Sequence, residues 1–242
     1  MSAIAQRRQA PDGEVVANLR RALAARAPGP ASEQTKPLPT ELSAVDAALQ
    51  GGLPRGKLIE IVGGAGKMSF ALLALAAATQ RGELCAFVDC DDALDAKTAA
   101  RIGVVLERLL WVRIPSDADK GDTSALKAVD LLLEAGGFAL IVLYVSGQAS
   151  QGLGSFRRAG AAMPRLVQRC EKAKAALLIA AEQAVAGSFA AATLRCTPGE
   201  AVWERAPGGR LILHGQRAAI EVVRSRLGPP GEVEPLSLRK RA

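Results

Sequence analysis

The chain has 242 residues, 49% apolar and only 3% aromatic, which is enough to bury a sizeable core of Ala, Leu, Val and Ile. Its net charge is +7, from 31 Lys and Arg against 24 Asp and Glu. This excess of positive charge is consistent with binding to nucleic acid or to an acidic partner, and an ordinary solvated surface explains it nearly as well. No apolar run is long enough to cross a membrane and the N-terminus lacks the apolar core of a secretory signal, so we expect a cytoplasmic protein.

Few side chains are available for metal binding or nucleophilic catalysis. The four cysteines are Cys85, Cys90, Cys170 and Cys196, none of them in a C-x-x-C pair, and the single histidine is His214. A structural zinc site needs closely spaced soft ligands, so none is indicated, and no Ser-His-Asp or Cys-His arrangement can be argued. We expect reduced, mostly buried thiols, no metal and no cofactor, and His214 in a turn.

The N-terminal segment predicts a short amphipathic helix on a tether. In residues 12–26, DGEVVANLRRALAAR, apolar side chains recur at helical spacing at Val15, Val16, Leu19 and Leu23. Residues 27–39, APGPASEQTKPLP, contain four prolines and predict an extended linker. The four apolar residues either dock on a partner protein or pack back on the protein's own core.

From residue 40 onward, aliphatic strands alternate with helices, which predicts a mostly parallel sheet with right-handed crossovers. The strands are expected at 58–62, 85–89, 109–114, 140–145 and 176–181, and the helices at 68–80, 96–102, 124–134 and 164–174. After residue 195, short segments at 201–205, 210–214 and 218–224, separated by PGG and HGQ, predict an antiparallel β extension. The resulting division is an arm (1–26), a linker (27–39), an α/β core (40–228) and a mobile, basic, Pro-rich tail (229–242).

The stretch IEIVGGAGKMSF, residues 59–70, lies where a phosphate-binding loop would follow the first strand. In the G-x-x-x-x-G-K-[ST] loop, four residues let backbone N–H groups curl around a phosphate, the lysine neutralises charge, and the hydroxyl holds magnesium. Here only two residues separate Gly63 from the Gly66-Lys67 pair. The loop is therefore too small to enclose a phosphate in the usual way.

The hydroxyl of that loop is also displaced. Met68 occupies its position, and Ser69 comes one residue late, rotated by about 100° on a helix. A helix N-terminus with a lysine still favours an anion. The segment is thus either a tight strand-to-helix turn or, at most, a weak anion site that would comprise Gly63, Gly66, Lys67 and Ser69.

Three stretches resemble the core of the RecA recombinases. They are LSAVDAALQGGLPRGKLIEIVG (residues 42–63), RGELCAFVDCDDALDAKTAARIGVVLERLLWV (81–112) and AAIEVVRSRLGPPGEVEPLSL (218–238). Within that superfamily, LLWVR (109–113) and RSRLGPPG (224–231) resemble ImuA, the RecA-like accessory proteins of bacterial translesion synthesis. The resemblance implies a RecA-like core and, as partners, RecA and translesion polymerase subunits.

The resemblance also indicates which catalytic positions are altered. The match of FVDCDDALD places the RecA catalytic carboxylate at Asp91, shorter by one methylene than the usual glutamate; the alternative is one of several solvated loop acids with Asp89, Asp92 and Asp95. The aspartate that orders magnesium at the end of the Walker B strand is replaced by Tyr144, a neutral phenol at pH 7. Since phosphoryl transfer depends on positioned metal and charge, we expect no ATPase activity.

The two loops that contact single-stranded DNA in RecA are altered as well. Their counterparts at 147–160 and 182–192 are short, and the second has no basic residue. Basic side chains occur instead at Arg157, Arg158, Arg165, Arg169, Lys172 and Lys174. These predict either weak phosphate contact with single-stranded DNA or an ordinary solvated helix face.

Three functions remain open. The one we favour is a catalytically inactive RecA-like adaptor of the SOS response, which binds RecA filaments and polymerase components and modulates recombination or mutagenesis. The second is an ATP-dependent recombinase-type protein that binds DNA through an unconventional loop. The third is a cell-division inhibitor of the SulA type, against which the basic tail and the LLWVR and RLGPPG motifs argue.

Overall fold

We describe the fold from a computed structural model for residues 12–24, 36–64, 66–114, 121–145, 162–205, 209–228 and 236–239. Its helices are α1 (Asp12–Ala24), α2 (Ser43–Ala48), α3 (Lys67–Gln80), α4 (Ala96–Ile102), α5 (Gly121–Ala135) and α6 (Ala162–Ala173). Its strands are β1 (Leu58–Val62), β2 (Cys85–Asp89), β3 (Leu109–Arg113), β4 (Leu140–Tyr144), β5 (Ala176–Ala181), β6 (Ala192–Arg205), β7 (Leu211–Ser225) and β8 (Leu236–Arg239). None of the described helices is long and apolar enough to cross a membrane.

The strands form one sheet in the order β3-β2-β4-β5-β1-β6-β7-β8. The pairs from β3 to β6 are parallel, whereas β6, β7 and β8 pair antiparallel, so the predicted α/β fold with an antiparallel extension is confirmed. The register brings Asp89 opposite Tyr144 and Tyr144 opposite Ala180, with Val62 opposite Ala181. The strands β1, β2, β4 and β5 therefore end at one edge, where open α/β sheets bind their ligands.

Two hydrophobic cores lie on opposite faces of this sheet, because successive strand side chains point to opposite sides. One face carries Ile59, Ile61 and Phe87 against Phe70 of α3 and Ala99 of α4. The other face is covered by α5 and α6. These helices contribute the following buried side chains to the second core: Ala125, Val129, Leu132, Leu166 and Cys170. The central strands are buried on both faces, which explains their continuous aliphatic sequence.

The C-terminal part differs from the prediction. In place of three short segments there is one long hairpin, β6 and β7, and HGQ lies within β7. Val202 pairs with Gly215 but Trp203 pairs with Leu213, so His214 is the extra residue of a β-bulge and the turn predicted for it is wrong. The bulge interrupts the period-two pattern, which is why the sequence there resembled a turn.

The tail also contributes regular structure, contrary to the expectation that it is mobile throughout. β8 pairs with Gly215–Ala218 of β7 at the end of the sheet. Beyond Arg195, β6 pairs with β7 rather than with β1 among the described residues. This outer half of the hairpin exposes Trp203 (57%) and Leu211 (60%), the most exposed large apolar side chains of the described chain.

Helix α1 lies on the protein's own core. Val16 is buried at 3% exposure, and Leu19 and Leu23 pack against the core that α5 covers. The Arg20 guanidinium donates to the carbonyls of Glu134 (2.7 Å) and Ala135 (3.3 Å) at the end of α5. An ion pair of 2.8 Å also joins the carboxylate of Asp12, at the start of α1, to the ammonium of Lys127 on α5.

The segment between β5 and β6 crosses the face of β1, which lies between those strands. It is held by Glu60, a fully buried β1 residue whose Oε1 accepts the N–H groups of Val185 and Ala186, both at 2.6 Å. Oε2 has no hydrogen-bond partner among the described residues. Burial raises the pKa of the Glu60 carboxyl, although the two N–H donors and the nearby Arg224 oppose the rise.

The position of α1 can be tested with two adjacent substitutions. Val16→Asp places a carboxylate in the core and should lower the free energy of unfolding by about 2–4 kcal/mol. Val15→Asp is the matched control, because Val15 is 37% exposed and the change should cost less than about 0.5 kcal/mol. Urea denaturation of both variants measures this; equal stabilities would contradict the packing of α1 on α5.

The buried carboxyl should give stability a specific pH dependence. Because the folded pKa of Glu60 lies above that of the unfolded chain, the folded state binds more protons between the two values. Stability conferred by the protonated form is therefore lost as pH rises through that interval. Glu60→Gln keeps an oxygen acceptor but does not titrate, so wild-type stability relative to the variant should fall from about pH 4.5 upward. Parallel urea-midpoint profiles for the two proteins would refute this.

Candidate functional site

The turn from β1 to α3 is packed tightly against the hairpin. Gly63 has φ +119°, and a Cβ there would lie 2.1 Å from the carbonyl oxygen of Cys196. Gly66, with φ +94°, would bring a Cβ to 3.0 Å from the Cβ of Ala218. Both glycines are thus required by backbone conformation and by the close approach of β6 and β7. These two members of the expected anion site fit the tight strand-to-helix turn.

Lys67, the first residue of α3, points into the protein. Its side chain is 2% exposed, and its ammonium donates to Glu182 Oε1 at 2.6 Å and to the Gly64 carbonyl at 3.2 Å. It also lies 5.7 Å from the centre of the Tyr144 ring. The positive charge that would attract a phosphate is therefore neutralised by a carboxylate of the same chain.

Three elements bring these groups together at the carboxyl edge of the sheet. Lys67 follows β1, Tyr144 ends β4 and Glu182 follows β5, so their proximity comes from the parallel strand order. Tyr144 is buried and stacks on Phe87 with ring centres 5.9 Å apart. An aromatic ring thus lies where the Walker B resemblance would place a magnesium-ordering carboxylate.

Glu182 was not identified from the sequence. For the segment 182–192 the sequence prediction rests on the absence of basic residues, and Glu182 is the single acid there. A usable signal was present: an acid directly after a buried strand, at the same sheet edge as the lysine that begins the helix after β1. The remaining member of the expected anion site, Ser69, is half-buried in the first turn of α3.

The acids after β2 have mostly structural roles. Asp89 is fully buried rather than solvated, and its carboxylate accepts the N–H groups of Ala93 and Leu94, both at 3.0 Å, and of the Trp111 indole at 3.1 Å. The predicted solvated position of Asp89 is therefore wrong. The others lie as follows: Asp91 is half-buried, Asp92 pairs with Arg113 at 2.9 Å, and Asp95 caps α4 by accepting from Thr98 N at 2.9 Å.

The described residues do not fit magnesium with a nucleotide. No group of three or more His, Cys, Asp or Glu side chains among them could hold a metal ion. Lys67 is paired with Glu182. Met68 occupies the position of the loop hydroxyl, and Tyr144, a phenol, ends β4. We therefore derive no phosphoryl-transfer step from this site.

The cysteines are free thiols rather than disulfides. Cys85, Cys170 and Cys196 are buried, and burial raises the pKa of Cys170 to about 12 and that of Cys196 to about 11. These thiols stay protonated at neutral pH and behave as small apolar groups, as expected from the sequence.

The basic residues proposed for DNA contact are only partly described. Arg165 and Arg169 on α6 both pair with Asp130 of α5, and Arg169 also pairs with Glu134 at 3.0 Å. Their charges are neutralised locally, which favours the solvated helix face over a phosphate-binding surface. Arg157 and Arg158 lie outside the described residues.

Comparisons with known proteins agree with the fold. The family model for the RecA N-terminal domain matches residues 29–149, half of the chain. Protein RecA of Thermus thermophilus is 42% identical over 114 residues, which is 46% of this chain and 32% of that protein. Protein RecA of Cutibacterium acnes is 42% identical over 109 residues, or 44% and 30% of the two chains.

The chain spans about a third of the length of the curated relatives it matches. Among solved structures, the RadB recombinase shares its fold with a TM-score of 0.59 at 19% identity, over 80% of this chain and 92% of that one. The family match covers β1 to β4 and the turn that carries Lys67. The chain therefore belongs to the RecA family, through the N-terminal domain of that family.

Proposed function

We propose that this protein is a RecA-like adaptor of bacterial DNA-damage repair that works without a nucleotide. It binds RecA filaments and translesion polymerase subunits and thereby modulates recombination or mutagenesis. The resemblance of residues 109–113 and 224–231 to the ImuA accessory proteins supports this finer assignment within the RecA family.

The observation that carries the proposal is the buried pair of Lys67 and Glu182. A phosphate approaching this turn would have to displace a carboxylate 2.6 Å from the lysine. It would gain no magnesium anchor in exchange, because Met68 and Tyr144 replace the two ligands. The site therefore offers little affinity for ATP. A protein with such a site would act by binding other proteins.

The contact with RecA is proposed to involve α1. Of its four Val and Leu residues, Val15 is exposed, whereas Val16, Leu19 and Leu23 lie against the protein's own core. Docking through the last three would require α1 to leave α5, at the cost of the Arg20 hydrogen bonds and the Asp12–Lys127 ion pair. Val15 can contact a partner without that cost.

The second candidate is an ATP-dependent recombinase-type protein. Family membership favours it, and so does the retention of Lys67 and of an acid, Asp91, at the position matched to the catalytic carboxylate. Titration with a non-hydrolysable ATP analogue separates the two candidates. Saturable binding below millimolar concentration supports the recombinase type, and its absence supports the adaptor.

ATP hydrolysis should be at background, with or without single-stranded DNA. The loss of both magnesium anchors removes the groups on which phosphoryl transfer depends. Phosphate release by the wild type should equal that of Lys67→Ala within error. Release clearly above this control would contradict the proposal.

Binding to RecA should be independent of the phosphate-loop pair and dependent on α1. Wild type should co-sediment with RecA filaments assembled on single-stranded DNA, and Lys67→Met/Glu182→Gln should do so within about twofold. Val15→Asp should weaken binding by about tenfold, since it places a charge in an apolar contact.

The outcomes of this experiment separate two questions. Failure of the wild type to co-sediment removes the adaptor proposal itself. Wild-type binding that Val15→Asp leaves unchanged removes α1 as the docking element and leaves the adaptor role in place.

A further inference from the structure

We infer that the segment from Glu182 to Ala190 is clasped in one conformation by side chains of the protein, with Glu182 taking the place of a phosphate as the anion at Lys67. This inference rests on the proposed nucleotide-independent function and assigns a mechanism to it. The segment is the counterpart, by resemblance, of the second DNA-contacting loop of RecA. Here it crosses the face of β1 between β5 and β6.

The first point of the clasp is at the carboxyl edge of the sheet. Lys67 is almost fully buried and Glu182 is 35% exposed, so the carboxylate covers the ammonium from the solvent side. The Gly63 N–H donates to the carbonyls of Ala181 (3.2 Å) and Glu182 (3.3 Å), which joins the same turn to the same segment through the backbone. The phosphate-loop turn and the end of β5 are thus held together by charge and by hydrogen bonds.

The second point lies three residues further along the segment. Glu60 reaches up from β1 and accepts the N–H groups of Val185 and Ala186 at 2.6 Å each. Ala186 is buried in the core under this face of the sheet. Because Glu60 is itself fully buried, it cannot release these donors to water without exposing the core.

The third point is supplied by β7. The Arg224 guanidinium donates to the carbonyls of Gly187 and Ala190, the latter at 3.2 Å. Just beyond, the Ala191 N–H donates to the Leu58 carbonyl at 2.7 Å, where the chain enters the sheet.

The chemistry at the first point indicates what Glu182 replaces. A lysine at the N-terminus of a helix is an arrangement that favours an anion, and here that anion is a side chain. Removing the charge of Glu182 would leave the buried Lys67 ammonium without a counter-ion, which is strongly unfavourable. The lysine would then recruit an external anion or disturb the segment that Glu182 belongs to.

Hydrogen exchange with mass spectrometry tests the clasp on the full-length protein, with pyrophosphate as the probe. In wild type, exchange of amides 183–190 should be unchanged within about twofold by millimolar pyrophosphate. In Glu182→Gln, exchange of these amides should be faster by about tenfold or more, and pyrophosphate should slow it again. Glu221→Gln is the matched control, because its pair with Arg195 (3.7 Å) is largely exposed and on neighbouring strands.

Each result decides the inference. Slowing of the wild-type segment by pyrophosphate overturns it, since an external anion would then complete the clasp. Exchange in Glu182→Gln that equals wild type also overturns it. If Glu182→Gln does not fold, Lys67→Met/Glu182→Gln replaces it: faster exchange without a pyrophosphate response supports the clasp, and wild-type exchange refutes it. RecA co-sedimentation is measured separately, so failure of the adaptor role is distinguishable from failure of the clasp.

Discussion

The burial of one positive charge constrains this whole edge of the sheet. Removing the Lys67 ammonium from water costs several kcal/mol unless a counter-ion and hydrogen bonds compensate. Glu182 and the Gly64 carbonyl supply that compensation, and the centre of the Tyr144 ring lies 5.7 Å from the ammonium. The same β1–α3 turn also packs against the hairpin, at a distance that only glycine allows at positions 63 and 66. The short turn, the phenol and the acid after β5 are thus parts of one arrangement.

Other buried acids follow the same pattern of use within the architecture. Asp89 collects two backbone N–H groups and an indole N–H to shape the loop after β2, and Glu83 forms a buried ion pair with Arg55. Glu60 fixes the segment beyond β5. The oxygen atoms of Asp89 and Glu60 that accept these N–H groups are occupied by the protein's own backbone and are poorly placed to bind a metal ion. These carboxylates therefore stabilise the loops at the edge of the sheet.

Much of the fold could be predicted from the sequence, because the central strands are buried on both faces and read as short aliphatic runs. β1, β2 and β5 have the predicted bounds, and the altered phosphate turn was evident from its length. What could not be predicted depends on pairing across the fold. Glu182 can pair with Lys67 only because β5 lies beside β1 in the sheet. The charge of Arg165 is neutralised only because Asp130 of α5 faces it. The bulge at His214 needs the partner strand to be recognised, since one unpaired residue looks like a turn in a single strand.

A built-in anion differs from a nucleotide in that it cannot diffuse away. A nucleotide is bound, changed and released, and each step alters the contacts at the edge of the sheet. Glu182 is tethered to the same backbone as Lys67, so its effective concentration at the ammonium is high at all times. A ligand shifts a conformational equilibrium only if it binds one of the two states more tightly than the other. A site at Lys67 that Glu182 always occupies gives a nucleotide little opportunity to do so. In the adaptor we propose, the surface presented to RecA would therefore not follow the nucleotide supply. Control would have to come from the amount of the protein and the presence of its partners.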